Sequence, residues 1–316
     1  MPPNDLAKPF SNLQLDPARS VEDILATSST GDVLYISEDL ENLLEANRND
    51  ERLVEVQPVL HLLDPQSDSG LLKVIGPDGR FPIGDENTTF PFPAIVRLGF
   101  RWLDTGRESW CTGWLVGQSS VITAGHCLHD AIGHPSAPTS GMMTAHPGLN
   151  YQSSNPIPFG SCPEFERWVP YEWVYNGQPS IWDYGVVRLN CRIGEGTGLF
   201  GFREFYQIDG DLELAGYSQD KDSTGHELWS GYGYVTSLEP RLVHYNNDTF
   251  HGQSGSPVWE NGYIPCQFCS IAVHSRPDIN ESSNTGPRVA SYFLYQLLYE
   301  RNKFHLFQNF LPFTGR

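Results

Sequence analysis

The chain of 316 residues lacks the features that mark several large functional classes. No apolar run approaches the roughly 20 residues that a membrane-spanning helix needs. Only 20 Lys and Arg stand against 38 Asp and Glu, and this net charge of −18 argues against binding to nucleic-acid phosphates, which requires clustered basic side chains. A repeat of the solenoid type is also missing. We therefore expect neither a membrane partner nor a nucleic-acid partner.

A signal peptide is a further missing feature, because the first ten residues, MPPNDLAKPF, contain no apolar stretch. Six cysteines, an even number that is compatible with three disulfides, nevertheless fit an oxidising compartment. Sequons at Asn87, Asn247 and Asn280 fit the same route. The cysteines and sequons predict a secreted protein. Either the numbering begins after removal of a signal peptide, or the inferred compartment is wrong.

What the chain does contain is 30 Gly, 24 Pro and 12% aromatic residues, a mixture typical of many short strands joined by turns. From about residue 90 the sequence consists of short apolar runs separated by turn residues, among them AIVRLGF, CTGWLVG, SVITAG, YGVVRLN, LELAGY and SIAVHS. These runs predict an all-β fold, either a sandwich or a pair of barrels. The later stretch ASYFLYQLLYERNKF has a helical apolar stripe and predicts a C-terminal helix that covers the core.

Residues 1–73 differ from the rest of the chain. They contain neither Cys nor Trp, and they hold 14 acidic against 5 basic residues, which is half of the net charge in under a quarter of the length. Their stretch SEDLENLLEANRNDERLVEV reads as a helix, and a polar patch, LDPQSDSGLLK, then ends at the Lys73–Val74 bond. We expect residues 1–73 to be a prosegment that is removed at this bond. The alternative is an N-terminal subdomain that stays attached.

Three short motifs together carry the requirements of nucleophilic acyl transfer. They are TAGHC around His126, WDYGVVRLN around Asp183 and GQSGSP around Ser254. A serine hydroxyl becomes a good nucleophile when an imidazole takes its proton, and a buried carboxylate fixes the tautomer of that imidazole and stabilises its cation. Each motif is common by itself, but the three together predict a catalytic triad.

The glycines beside the serine fit the same chemistry. Gly252 allows a turn in which its own N–H and that of Ser254 point at one spot and form an oxyanion hole. Gly255 leaves room beside the serine, and Pro257 starts the next strand where an N–H is dispensable. Among the other aspartates, Asp130 is only four residues from the histidine, and Asp211 and Asp220 lack the apolar strand that follows Asp183.

These motifs resemble the chymotrypsin-fold serine peptidases, and more narrowly the glutamyl endopeptidases of the V8-like type. The resemblance covers about residues 74–300 and includes VIGPDGR, CTGWLVGQSSVITAGHCLHD, WDYGVVRLN, DTFHGQSGSPVW and SIAVHS…GPRVA. It implies two antiparallel six-stranded β-barrels with the site in the cleft between them. We divide the chain accordingly into the prosegment, an N-terminal barrel with His126 and Asp183 over 74–195, and a C-terminal barrel with Ser254 and the final helix over 196–316. The resemblance gives the three residues their roles: general base, orienting carboxylate and nucleophile.

The resemblance also implies cleavage after Glu and, more weakly, after Asp. In this family a histidine at the position of His274 meets the substrate carboxylate, and Thr249 matches a second pocket position. An imidazole and a hydroxyl both suit a carboxylate as donors. The new α-amino group of Val74 would lie near the same pocket after processing. Two alternatives stay open: the same triad with another specificity, or a catalytically inactive binding module.

Three disulfides are expected in this setting: Cys111–Cys127, which brackets the loop of His126, Cys162–Cys191, and Cys266–Cys269. Bacterial relatives often carry cysteine where this chain has Gly252, so their second bridge is absent here. The C-x-x-C of the last pair has no second C-x-x-C or H-x-x-x-H to complete a zinc site and no βαβ unit for a redox motif. We expect no metal or cofactor, protein or peptide substrates, and a monomer.

Overall fold

The computed structural model describes residues 24–27, 33–35, 53–55, 74–101, 108–129, 143–170, 173, 179–202, 211–261, 268–277 and 282–289. These residues form nineteen strands: β1 (Ile24–Thr27), β2 (Val33–Tyr35), β3 (Leu53–Glu55), β4 (Phe81–Pro82), β5 (Ile95–Arg101), β6 (Glu108–Gly117), β7 (Ser120–Thr123), β8 (Thr144–Pro147), β9 (Cys162–Pro170), β10 (Gly185–Leu189), β11 (Gly201–Phe202), β12 (Leu212–Tyr217), β13 (Leu228–Gly233), β14 (Val235–Leu238), β15 (Leu242–Tyr245), β16 (Pro257–Glu260), β17 (Cys269–Val273), β18 (Arg276–Pro277) and β19 (Asn284–Pro287).

Helices are few and short in the described residues. The α-helix α1 spans Gly125–Leu128, and 3-10 turns occur at Gly84–Thr88, Phe92–Ala94, Ser180–Trp182 and Ile193–Gly196. None of the helices in these ranges has the length and apolar character to cross a membrane. The predicted C-terminal helix lies outside the described residues.

Six strands of the N-terminal half close into an antiparallel barrel. The order is β10-β7-β6-β5-β8-β9, and pairing of β9 with β10, with Val187 opposite Arg167, closes the ring. Apolar side chains fill the interior and also cover part of the outer face, because successive residues of a strand face opposite sides of the sheet. The fully buried ones include Ile95, Leu98, Trp114, Leu115, Val121, Ile122 and Val187.

A segment of the predicted prosegment adds a strand to this barrel. In β3, Leu53 lies opposite Pro170 and Glu55 opposite Trp168 of β9. The sequence stretch SEDLENLLEANRNDERLVEV was expected to be helical, and for its LVE part that expectation is wrong. The adjacent apolar residues Leu53 and Val54 do not distinguish a helix from a strand, and pairing with the barrel edge determines the outcome.

The C-terminal half contains two sheets. One has the order β11-β17-β16-β12-β13-β4, and the other has the order β14-β15-β19-β18. A bridge between Ala272 and Arg288 connects them. The pairing of β11 with β17 is parallel, whereas the other pairings of this half are antiparallel. The chain is therefore mostly β with one closed six-stranded barrel, as the chymotrypsin fold requires of its first half.

An aromatic cluster joins the two halves. The ring of Phe200 lies 5.7 Å from Trp114 of the barrel and 5.5 Å from Trp259 of the C-terminal sheet. Phe90 packs against Phe200 at 5.9 Å and against Phe268 at 5.0 Å. Aromatic rings bury large areas, so this cluster fixes the barrel against the second half.

Two of the three sequons are buried. The side-chain amide of Asn87 donates to the carbonyl oxygens of Gly148 and Asn155, and that of Asn247 donates to Gly231 at 3.0 Å. Both side chains are inaccessible to solvent, so neither nitrogen can carry a glycan in this fold. These two sequons lend no support to a secretory route, and Asn280 lies outside the described residues.

Candidate active site

Two disulfides hold the segments around the candidate site. Cys111 of β6 is bonded to Cys127 of α1, and Cys162 of β9 is bonded to Cys191 after β10. These are the pairs expected from the sequence. The first one ties the helix that carries His126 to the barrel wall. Cys266 of the third expected pair lies outside the described residues.

His126 and Asp183 form a close pair between α1 and the start of β10. The ring Nδ1 of His126 lies 2.9 Å from Oδ2 of Asp183, and the backbone N–H of His126 donates to Oδ1 at 2.8 Å. Gly125 permits this approach, since a Cβ there would lie only 3.2 Å from Oδ1 of Asp183. The aspartate is fully buried, whereas the side chain of His126 is 28% exposed.

The carboxylate of Asp183 stays ionised despite its burial. Burial alone raises the pKa of a carboxyl group, but the contacts with His126, Arg276 and Ser275 outweigh it and hold the pKa of Asp183 well below its usual range. The guanidinium of Arg276 lies 3.2 Å from Oδ2, and the hydroxyl of Ser275 donates to the same oxygen. Asp183 is thus a buried anion opposite the imidazole.

Ser254 lies beside the helix of His126. Its carbonyl oxygen accepts the backbone N–H of Thr112 at 2.9 Å and lies 3.9 Å from Sγ of Cys127. The next residue, Gly255, donates its N–H to the carbonyl of His274 at 2.7 Å. The serine itself is 5% exposed. The fold therefore brings the three motifs TAGHC, WDYGVVRLN and GQSGSP together.

The two glycines around Ser254 adopt backbone conformations that other residues rarely take. Gly252 has φ +90°, and a Cβ there would lie 2.3 Å from the carbonyl oxygen of Tyr217 and 2.4 Å from Nε1 of Trp110. Gly255 has φ +85°, and its Cβ would lie 2.2 Å from the carbonyl oxygen of Thr112. The loop geometry therefore requires glycine at both positions.

His274 and Thr249 are both fully buried, and each has a side-chain polar atom without a hydrogen-bond partner. These atoms are Nε2 of His274 and Oγ1 of Thr249. The other ring nitrogen, Nδ1, lies 2.7 Å from the hydroxyl of Tyr245. Burial, with a smaller contribution from His126, lowers the pKa of His274 to about 3, against an opposing effect of Asp183. The His274 imidazole is therefore neutral at ordinary pH.

The segment that follows the predicted processing site runs next to Thr249. The carboxylate of Asp248 accepts the backbone N–H of Ile75 at 2.7 Å and that of Gly79 at 2.8 Å. Because Asp248 directly precedes Thr249, these bonds hold the chain after Val74 beside that residue. Lys73 lies outside the described residues.

Sequence reasoning missed three residues that contact the site. Ser275 and Arg276 bind Asp183, and Tyr245 binds His274. The first two directly follow His274 in the stretch VHSR, which is the only sequence signal that could have drawn attention to them. Asp220, one of the aspartates considered for the triad, instead binds the guanidinium of Arg80.

The comparisons with known proteins agree with this geometry. Residues 84–155 match the family described as Trypsin. A glutamyl endopeptidase of Bacillus licheniformis is 33% identical over 222 residues, which are 68% of this chain and 65% of the relative. An extracellular metalloprotease of Bacillus subtilis is 31% identical over 252 residues, which are 79% of this chain and 74% of the relative. The chain thus spans just under two thirds of the first relative and about three quarters of the second.

The name of the second relative raises the question of a metal. In the described ranges, potential ligand atoms lie within 4.8 Å of one another in the group Cys111, His126 and Cys127. The two sulfurs are bonded to each other, so they offer no thiolate, and Nδ1 of His126 faces Asp183. This donor set does not fit a metal ion, and we assign it no metal chemistry.

A solved structure supports the same assignment over most of the fold. The structure of a Glu endopeptidase in complex with MPD is 28% identical, has a TM-score of 0.62, and covers 72% of this chain and 99% of its own. The predicted family is confirmed: the chain belongs to the trypsin family of chymotrypsin-fold serine proteases and has glutamyl endopeptidases among its homologues.

Proposed function

We propose that the protein is a secreted serine endopeptidase that hydrolyses peptide bonds after Glu and, more weakly, after Asp. The observation that carries this proposal is that His274 and Thr249 are fully buried with an unpartnered polar atom each, and that the backbone of His274 is hydrogen-bonded to Gly255 and Ser256, the two residues after Ser254. Homology to glutamyl endopeptidases adds to it. In this proposal the substrates are proteins or peptides, the enzyme is a monomer, and the C-terminal half completes a second six-stranded barrel.

The proposed reaction is acyl transfer through Ser254. Its Oγ attacks the carbonyl carbon of the scissile bond, and His126 takes the hydroxyl proton as general base. The buried carboxylate of Asp183 stabilises the resulting imidazolium. The N–H groups of Gly252 and Ser254 donate to the oxyanion, a contribution worth about 2.7–4 kcal/mol per donor in such enzymes. His126 then protonates the leaving amine, and water hydrolyses the acyl-enzyme by the reverse sequence of proton transfers.

The unpartnered polar atoms of Thr249 and His274 favour a ligand that supplies their hydrogen-bond partners. A buried polar atom without a partner costs about 1–3 kcal/mol, and a ligand that supplies the partner removes this cost. The carboxylate of a Glu side chain offers acceptors to both the Thr249 hydroxyl and the His274 ring. The neutral ring gains a proton most readily when an anion faces it, so the bound carboxylate favours the charged, donating form. A neutral Gln gives a weaker interaction, because it brings no charge.

We further propose that removal of residues 1–73 activates the enzyme. The bonds of Asp248 to Ile75 and Gly79 support this step, because they keep the chain after Lys73–Val74 beside Thr249. A new α-amino group on Val74 then adds a positive charge near the pocket for the substrate carboxylate. In the uncleaved chain that charge is absent, and β3 stays paired with β9.

Covalent labelling tests the proposed nucleophile. The protein that begins at Val74 is treated with diisopropyl fluorophosphate, and the modified peptide is identified by mass spectrometry. We expect one phosphoryl adduct on Ser254, with none in Ser254→Ala. The neighbouring Ser256→Ala variant is the matched control and should be labelled like the wild type. Adduct formation that survives in Ser254→Ala, or its absence from the folded wild-type protein, would contradict the proposed triad.

A further inference from the structure

A cation contacts the buried carboxylate of the proposed triad. The Nη2 atom of Arg276 lies 3.2 Å from Oδ2 of Asp183. The same oxygen lies 2.9 Å from Nδ1 of His126 and accepts the hydroxyl of Ser275. One carboxylate oxygen therefore receives an imidazole, a hydroxyl and a guanidinium at once. Neither the three sequence motifs nor the general requirements of a Ser-His-Asp triad call for the guanidinium.

The guanidinium is held in this position from two sides. Its carbon lies 5.7 Å from the ring centroid of Trp173, which is 1% exposed and whose Nε1 donates to the carbonyl of His129. The backbone of Arg276 belongs to β18, and its carbonyl accepts the hydroxyl of Thr285 at 2.9 Å. A strand and a buried aromatic ring thus fix both ends of the side chain, which is 38% exposed.

The other charged groups around Asp183 do not duplicate this contact. Helix α1 presents His126, and the end of β17 is followed by His274, whose pKa is lowered to about 3 by burial, so its ring is neutral. Trp182 directly precedes Asp183, and the guanidinium carbon of Arg241 lies 4.4 Å from the centroid of its ring. On β9, which packs against α1, Glu164 and Arg167 bind each other at 2.5 Å. Within the described ranges, Arg276 is therefore the basic side chain that forms an ion pair with Asp183, apart from His126.

We propose that Arg276 is a positioning residue that shares the charge of Asp183 with His126 and extends the activity of the site to lower pH. The inference rests on the proposed triad. A carboxylate that is already paired with a guanidinium attracts the imidazolium less strongly. The imidazole of the free enzyme therefore stays unprotonated, and available as a base, at a lower pH than it would beside an unpaired Asp183. The same contact holds Oδ2 in the orientation that receives Nδ1.

The test compares the pH dependence of serine modification in charge variants. In this reaction Oγ of Ser254 attacks phosphorus of diisopropyl fluorophosphate, the P–F bond breaks, fluoride leaves, and His126 takes the serine proton. The reagent has no ionisable group and no carboxylate. The fall of the modification rate at low pH, the acid limb of the pH profile, therefore reports on protonation of His126 and not on the pocket of His274. In Arg276→Gln we expect the midpoint of this limb to rise by about half a pH unit or more, which is about a threefold loss of rate on the acid side.

Matched variants separate charge from structure. Arg276→Lys keeps the charge and should have a midpoint close to that of the wild type. Arg276→Met removes the charge but keeps an apolar side chain that can pack on Trp173. It replaces Arg276→Gln if that variant does not fold. Arg192→Gln removes the same charge at a residue that binds Gln118 and Glu195, and it should not move the midpoint. An unmoved midpoint in the neutral variants, with the rate reduced equally at every pH, would overturn the proposal and leave Arg276 a structural residue.

A second readout does not depend on catalysis. In Ser254→Ala, the C–H resonances of the His126 ring are followed by NMR as the pH is lowered, with and without Arg276→Gln. The proposal predicts protonation of His126 at higher pH when Arg276 is replaced, and identical titrations would contradict it. This result stands even if the enzyme does not cleave after Glu, so failure of the proposed specificity and failure of this inference are distinguishable.

Discussion

His126 uses both oxygens of the Asp183 carboxylate: its backbone N–H donates to Oδ1 at 2.8 Å, and its ring Nδ1 lies 2.9 Å from Oδ2. Two contacts from one residue to one carboxylate fix the position of the helix and the orientation of the ring together. Nδ1 is thereby occupied, and the other ring nitrogen, Nε2, is left for Ser254 in the proposed triad.

Replacing the carboxylate tests this relationship. Asp183→Asn keeps the shape of the side chain but removes its charge and favours the wrong tautomer of His126. We expect kcat to fall by about 10⁴-fold. The measurement is steady-state hydrolysis of a fluorogenic peptide with Glu before the scissile bond. A loss of less than tenfold in a folded variant would contradict the role given to Asp183.

The same variant changes how stability depends on pH. Because the native pKa of Asp183 is held below its ordinary value of 3.8, the ionised carboxylate stabilises the fold fully above that value and progressively less as the pH falls below it. The difference in unfolding free energy between wild type and Asp183→Asn should therefore narrow as the pH falls below 3.8. Urea unfolding at a series of pH values measures it. A difference that does not narrow below pH 3.8 would contradict the ionised, stabilising carboxylate.

Gly252 provides a test of the proposed oxyanion hole. A methyl group at this position would lie 2.3 Å from the Tyr217 carbonyl oxygen, so Gly252→Ala must shift the N–H groups of the loop. We expect kcat to fall by about 10²–10³-fold with a smaller change in KM. Gly160→Ala is the control, because Gly160 also has a positive φ, +74°, but open space around its Cβ. Equal activity losses in the two variants would point to backbone strain alone.

His274 is tested with paired substrates that differ only in Glu or Gln before the scissile bond. We expect His274→Ala to lower kcat/KM for the Glu peptide by about 10- to 100-fold, because a charge-assisted bond is lost, and to change the Gln peptide little. Tyr245→Phe removes the hydroxyl that contacts Nδ1 and should give a smaller loss in the same direction. If both peptides lose equally, His274 is structural and not a specificity residue.

The proposed activation step is tested at the processing site. We expect the protein that begins at Val74 to cleave after Glu, whereas a full chain with Lys73→Gln that resists processing does not. A protein that begins at Ile75 moves the α-amino group by one residue and should recover only part of the activity. Full activity of the uncleaved chain would show that residues 1–73 are an attached subdomain instead.

The sequence predicted the family, the β-rich architecture and the disulfides around His126 because these depend on local patterns. Strand-forming runs alternate with turn residues, and TAGHC, WDYGVVRLN and GQSGSP are short motifs that each occupy one loop. Those loops meet because the closed barrel and the C-terminal sheets bring His126 to Asp183 and Cys127 to Ser254.

Features that depend on tertiary contacts were not predictable in this way. The LVE run of β3 is a strand only because β9 offers an edge, and the sequons at Asn87 and Asn247 are buried by backbone carbonyls far along the chain. Arg276 has no motif of its own, and its contact with Asp183 joins residues that are 93 positions apart.

A digest with a mass-spectrometric readout tests whether a serine nucleophile cleaves after Glu. An unstructured protein is digested by the form that begins at Val74, with Ser254→Ala as the control for contaminating activity, and the new C-termini are read by mass spectrometry. We expect C-termini that are mostly Glu, with a minority of Asp, and none above background in Ser254→Ala. A flat distribution of C-terminal residues, or one that is unchanged in Ser254→Ala, would contradict it.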